Sequence, residues 1–202
     1  MGWLGSGPRR ERVCRRARGR QGRFAPLKRG PKAWGAIEAG IPEIGAAAVV
    51  CFEFLQRPEN VLAGYLAWPD YRPKDAPTAI RIVHHKTGAT VWHPLEEETD
   101  EGTVKFYADA GAVLARVPRR GVPMILKSKR GGSAVPYGPK ETAKIVCRVR
   151  ESLGLPETFT LDACRHGGMT ELEGAELTDG QGRALSRHRT QAFLCRLRQT
   201  NA

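Results

Sequence analysis

Between Ile44 and Leu55 the sequence reads IGAAAVVCFEFL, an almost unbroken apolar run rich in alanine. The run is long for a strand and far short of the roughly 18–20 apolar residues needed to cross a bilayer, so it predicts a helix buried on most sides. Such a helix must be wrapped by other elements, which commits the chain to a single core built around it. The run stops at Gln56-Arg57-Pro58, because proline removes a backbone donor and disfavours helical geometry in the residue before it. Arg57 therefore falls at the mouth of that core.

The other elements follow from local pattern. A second short helical stretch is expected over Asn60 to Trp68. The segment TAIRIVHHKTGATVWHPL carries β-branched and aromatic residues on both sides of Lys86-Thr87-Gly88, predicting a hairpin over about 78–95 with Lys86 at its turn. Tyr107 to Val117 and Lys140 to Leu153 read as helices. In the latter, Ala143, Ile145, Val146, Val149 and Leu153 share one face, with Pro139 before it and Gly154 after it. The last third predicts two short helices separated near Glu176 to Thr178. Glu96-Glu97-Glu98 reads as a solvated loop. The fold class is thus α+β: mainly helical, with a small antiparallel sheet. Residues 1–33 form a basic tail, 34–195 one domain, and 196–202 a second tail.

Charge is distributed unevenly. The formal net charge is +12, and residues 1–33 hold eleven Lys or Arg against one acidic residue, Glu11, so they carry +10 of it. That segment is too poor in apolar residues to offset its ordering entropy, and it reads as a disordered arm, either simply solvated or touching DNA. The near-neutral remainder must rely on a few placed cations. Arg116, Arg119, Arg120, Lys127, Lys129 and Arg130 read as a solvated face or as contacts to a phosphate backbone. The five cysteines are odd in number with no Cys-x-x-Cys pair, which argues against a disulfide framework and a zinc knuckle. His84, His85 and His93 have no carboxylate or cysteine at ligand spacing, so no metal is expected. No targeting or membrane-spanning segment stands out, and a soluble cytoplasmic protein is expected.

Four cations carry chemistry in a set order: an arginine after the apolar helix (LQRPENVLAGYLAW), a lysine on the hairpin turn (HHKTGATVWHPL), an arginine-histidine pair (TLDACRHGGMT) and a late histidine (RALSRH). Taken singly, each has an ordinary surface or turn reading; their joint order points to one site. Breaking a phosphodiester by transesterification builds charge on the non-bridging oxygens. Two guanidinium forks can hold those oxygens while a lysine or histidine manages the leaving proton. In this arrangement the sequence resembles the catalytic domain of tyrosine recombinases, the phage integrase family, over about Trp34 to Arg189. The resemblance implies Arg57 and Arg165 as the two phosphate-binding arginines, Lys86 as general acid, His188 as a late phosphate contact, and His166 as a supporting residue. It also implies double-stranded DNA as partner, DNA integration or recombination as the process, and no metal or nucleotide cofactor.

The sequence departs from that pattern in three places. Asp162 stands where a histidine usually precedes the second arginine, and Arg187 stands where a glycine usually precedes the late histidine. The tyrosine nucleophile should fall roughly nine residues after His188, where this chain has Leu197; no tyrosine follows Tyr137. The helical DNA-clamping domain that usually precedes the catalytic one does not fit into residues 1–33. The expectation is a DNA-binding relative with impaired cleavage, acting alone, as a homo-oligomer or beside an intact recombinase. The alternatives are a non-catalytic DNA-binding module, a basic RNA-binding protein and the product of a truncated or frame-shifted integrase gene.

Overall fold

The structure is a computed structural model, and it describes residues 31–174. Helix α1 spans Pro31–Glu38, starting within the segment expected to be tail, and α2 spans Pro42–Glu53. A short α3 covers Pro58–Leu62 and a 3-10 turn covers Trp68–Asp70. Strands β1 (Ala79–Val83) and β2 (Thr90–Pro94) are followed by β3 (Glu96–Thr99) and β4 (Gly102–Lys105). Helix α4 (Ala108–Leu114), strands β5 (Leu126–Ser128) and β6 (Ala134–Pro136), and helices α5 (Pro139–Ser152) and α6 (Leu161–Gly174) complete the order. Proline opens α1, α2, α3 and α5, where its missing donor is harmless and its fixed φ suits the first turn.

The apolar run forms the centre as expected. Helix α2 packs on α1, α4 and α6, and Ala46, Ala47, Val50 and Cys51 have no solvent exposure. Small alanines let the neighbouring helices approach closely. Gly168 of α6 completes the contact: a Cβ there would lie 2.1 Å from the Phe52 carbonyl oxygen. Helix α5 buries Thr142, Ile145, Val146 and Val149, the spacing of one helical face, and Gly154 follows at φ +61°, a left-handed position that ends the helix.

The hairpin of β1 and β2 is antiparallel, with Ile80 opposite His93 and Ile82 opposite Val91. Ile80 and Ile82 point into the core while Arg81 between them points out, the two-residue alternation of a half-buried strand. The antiparallel content exceeds the one hairpin expected, since among the described residues three separate two-stranded sheets form: β1 with β2, β3 with β4, and β5 with β6. Glu96 to Glu98 are in β3 rather than a loop, and Glu96 accepts a two-pronged contact from Arg72 at 2.6 and 2.8 Å. The helix expected over Asn60–Trp68 is confined to Pro58–Leu62; Gly64, at φ +87°, turns the chain away. The second of the two late helices lies outside the described residues. Among the described residues, no helix is long and apolar enough to cross a membrane.

Candidate functional site

The segment from Leu55 to Asn60 organises the site. After α2 ends, Leu55 adopts φ +54°, a left-handed conformation costing a non-glycine residue on the order of 1–2 kcal/mol. Its side chain is only 5 % exposed and packs over Gly168, and that burial offsets the strain. The reversal turns the chain out of the core and aims the Leu55 carbonyl at α6. There it accepts a hydrogen bond from Nε of Arg165 at 2.8 Å. Two residues later Arg57, half-buried, precedes α3 in extended backbone geometry. Glu59, on the first turn of α3, pairs with the ammonium of Lys86 at 3.3 Å.

Three residues separated by up to 108 positions in the chain are therefore tied to one short segment. Arg165 is held by the carbonyl of Leu55, Arg57 belongs to the segment, and Lys86 is held by its Glu59. Arg165 is 5 % exposed, and its guanidinium is easier to deprotonate than usual, first because it is buried and second because the charge of Arg57 is close. The charge of Arg57 beside Arg165 raises the local positive potential, and Asp162 answers part of it. Lys86 and Glu59 are both more than half exposed, so their pairing is worth little.

Asp162 adds an acidic group to this cluster. It sits one turn before His166 on α6, and the two side chains approach to 3.3 Å. His166 first, then the charges of Arg165 and Arg57, hold the Asp162 carboxyl below the usual carboxylate range. Cys51 lies near Arg165 in the core; burial, then Cys164 and Asp162, push its thiol up, which disfavours the thiolate. His188, Arg187 and Leu197 lie outside the described residues, as does the tail through residue 30.

The supporting residues Leu55, Glu59 and Asn60 were not singled out by sequence. A backbone carbonyl has no sequence signature, but the polar cluster Gln56, Glu59 and Asn60 directly after an apolar helix was a readable signal. The cationic run 116–130 is not simply a solvated face. Arg119 stacks over Trp68 at 4.5 Å, Arg120 pairs with the buried Glu43, and Lys127 pairs with Glu141. His93 is buried against Phe54 and Tyr107. Among the described residues, no three His, Cys, Asp or Glu side chains are grouped to hold a metal.

Neither a family model nor a curated protein matches the sequence. Solved structures do match, and the fold they define is that of an integrase catalytic domain, as the resemblance implied. A lambda integrase tetramer bound to a Holliday junction superposes with a TM-score of 0.59 at 16% identity, covering 88% of this chain and 49% of that one. A lambda integrase dimer on a COC' core site gives 0.56 at 16% identity, over 85% and 46%. The Tn1549 transposon integrase with transposon right end DNA gives 0.56 at 15% identity, over 88% and 62%. The chain thus spans 46–62% of these chains' length.

Proposed function

We propose that this chain is a DNA-binding domain of the tyrosine recombinase kind, which grips a backbone phosphate of double-stranded DNA between Arg57, Arg165 and Lys86, with His188 as a fourth contact. The observation that carries this reading is the convergence of Arg57, Arg165 and Lys86 on Leu55–Asn60. Two guanidinium groups supply a permanent, planar anion site, and the exposed lysine adds a mobile third charge and a proton donor. Integrases of the same fold are bound to DNA in the structures named above, some as dimers or tetramers, which supports DNA as the partner and assembly on it.

Cleavage is a separate matter. With Leu197 where the tyrosyl hydroxyl is expected, the phosphate would be bound without a nucleophile to attack it, and this chain holds a site rather than opening it. A homo-oligomer or an intact recombinase on the same DNA is the natural partner for such a domain.

Fluorescence anisotropy with a short labelled duplex tests the grip. Arg57→Ala in the full chain should weaken binding about tenfold, the scale of one lost charge-assisted contact. Arg148→Ala, which removes an exposed arginine of α5, should leave binding within about twofold. Equal effects of the two substitutions would overturn the phosphate reading. A nicked suicide duplex tests the cleavage: no covalent protein–DNA adduct should form, and a robust adduct would overturn the non-cleaving part.

A further inference from the structure

We propose that Asn60, backed by Gln56, is a positioning residue that fixes the Lys86 turn beside Arg57; the inference rests on the phosphate-site reading above. Asn60 has no solvent exposure, so its amide must find partners inside the protein. Its Oδ1 accepts the backbone N–H of His85 at 2.9 Å, and its Nδ2 donates to Oε1 of Gln56 at 3.4 Å. Gln56, 6 % exposed, donates in turn from Nε2 to the Phe54 carbonyl at 2.8 Å. A continuous buried chain of hydrogen bonds thus runs from the end of α2, past Arg57, to the residue before Lys86.

The hairpin itself leaves this N–H free for the purpose. The turn closes through His84 N–H to the Ala89 carbonyl and through the N–H groups of Thr87 and Gly88 to the His84 carbonyl, and Gly88 takes φ +64° to allow it. The N–H of His85 instead faces α3. Its ring also lies against Tyr65, with centroids 5.2 Å apart. Of the turn's other polar contacts to α3, Lys86 to Glu59 is exposed and would be surrendered when Lys86 reaches for a phosphate, and His85 Nε2 comes no nearer to Glu59 than 4.0 Å. From that moment the Asn60 contact is the hydrogen bond that ties the lysine's turn to α3, beside the bonds that close the turn itself. A lysine loses several rotors on engaging a ligand, so a turn that also moves would erase most of its contribution.

The test is a double-mutant cycle on duplex binding in the full chain. In the unmodified chain Lys86→Ala should weaken binding by about fivefold to tenfold, whereas in an Asn60→Ala background the same change should cost less than about twofold. Arg57→Ala should keep its full effect in both backgrounds, which a general loss of structure would not allow. Asn60→Asp retains an acceptor for the His85 N–H and should preserve the Lys86 effect. If Asn60→Ala does not fold, Gln56→Ala takes its place and should likewise shrink the Lys86 factor. A Lys86 factor that is the same with and without the Asn60 or Gln56 substitution overturns the positioning role and leaves the phosphate reading standing. Factors near one for both Lys86→Ala and Arg57→Ala in the unmodified chain overturn the phosphate reading itself.

Discussion

Asp162 is the single residue that most limits what the two arginines can do. Its carboxylate answers part of the positive potential that Arg57 and Arg165 create, and on the proposed reading it would compete with a bound phosphate. Asp162→Asn should therefore tighten duplex binding by roughly threefold to tenfold at neutral pH and low salt, with the gain shrinking as salt rises. Stability should respond in the opposite sense. A carboxyl held below its unfolded value contributes stability that is present above about pH 4 and lost as the pH falls through the folded value. Acid unfolding followed by circular dichroism should accordingly be shallower below pH ~4 for Asp162→Asn than for the unmodified chain, by less than about 1 kcal/mol because the aspartate is exposed. The sequence singled out Arg57, Lys86, Arg165 and His188 by their joint order alone, since each taken singly has an ordinary surface or turn reading. What holds them was not legible: the Leu55 carbonyl acts through a backbone reversal, and leucine at φ +54° is a residue no propensity would place there.

Among the elements, the α2–α6 contact positions Arg165, because the helix bearing that arginine can approach Phe52 only where α6 has no side chain. Gly168→Ala would place a Cβ 2.1 Å from the Phe52 carbonyl oxygen and 2.9 Å from Leu55 Cδ2, so the helices must separate. The expected cost is about 1–3 kcal/mol, a Tm lower by roughly 3–10 °C in a thermal melt. The β5–β6 hairpin is secured differently, by Arg120, which pairs with the buried Glu43 and donates to the Leu126 carbonyl at 3.5 Å, and by Lys127 to Glu141 on α5. Arg120→Ala strands a carboxylate that is 4 % exposed and should cost about 1–3 kcal/mol, while adding Glu43→Gln should recover much of that loss. Denaturant melts of the two variants would fail this account if the double substitution were the less stable. Periodicity identified α2, α5 and the β1–β2 hairpin, since each buries a clear face. It did not identify β3 and β4, where all but Glu96 are exposed and the order comes from backbone pairing rather than burial.

At the scale of the whole molecule, the proposed reading assigns affinity and placement to different parts of the chain. Residues 1–33 hold +10 of the +12 formal charge, whereas the domain that carries Arg57, Lys86 and Arg165 is close to neutral. Binding through many loosely placed cations releases many counterions and depends steeply on salt, at about −0.9 in log K per log salt for each phosphate neutralised on duplex DNA. Binding through two or three fixed cations contributes a shallow slope but depends on geometry. Removing residues 1–30 should flatten the salt dependence of duplex binding by several units, up to the roughly nine or ten expected if every cation of that segment is engaged. In the shortened chain the penalty of Arg57→Ala should remain about tenfold, because the fixed site is untouched by the deletion. Anisotropy titrations across a salt series, with and without Arg57→Ala, separate the two contributions. A slope unchanged by the deletion would mean that the basic segment does not contact DNA. An Arg57 penalty that vanished with it would mean that the segment, not the folded site, holds the phosphate.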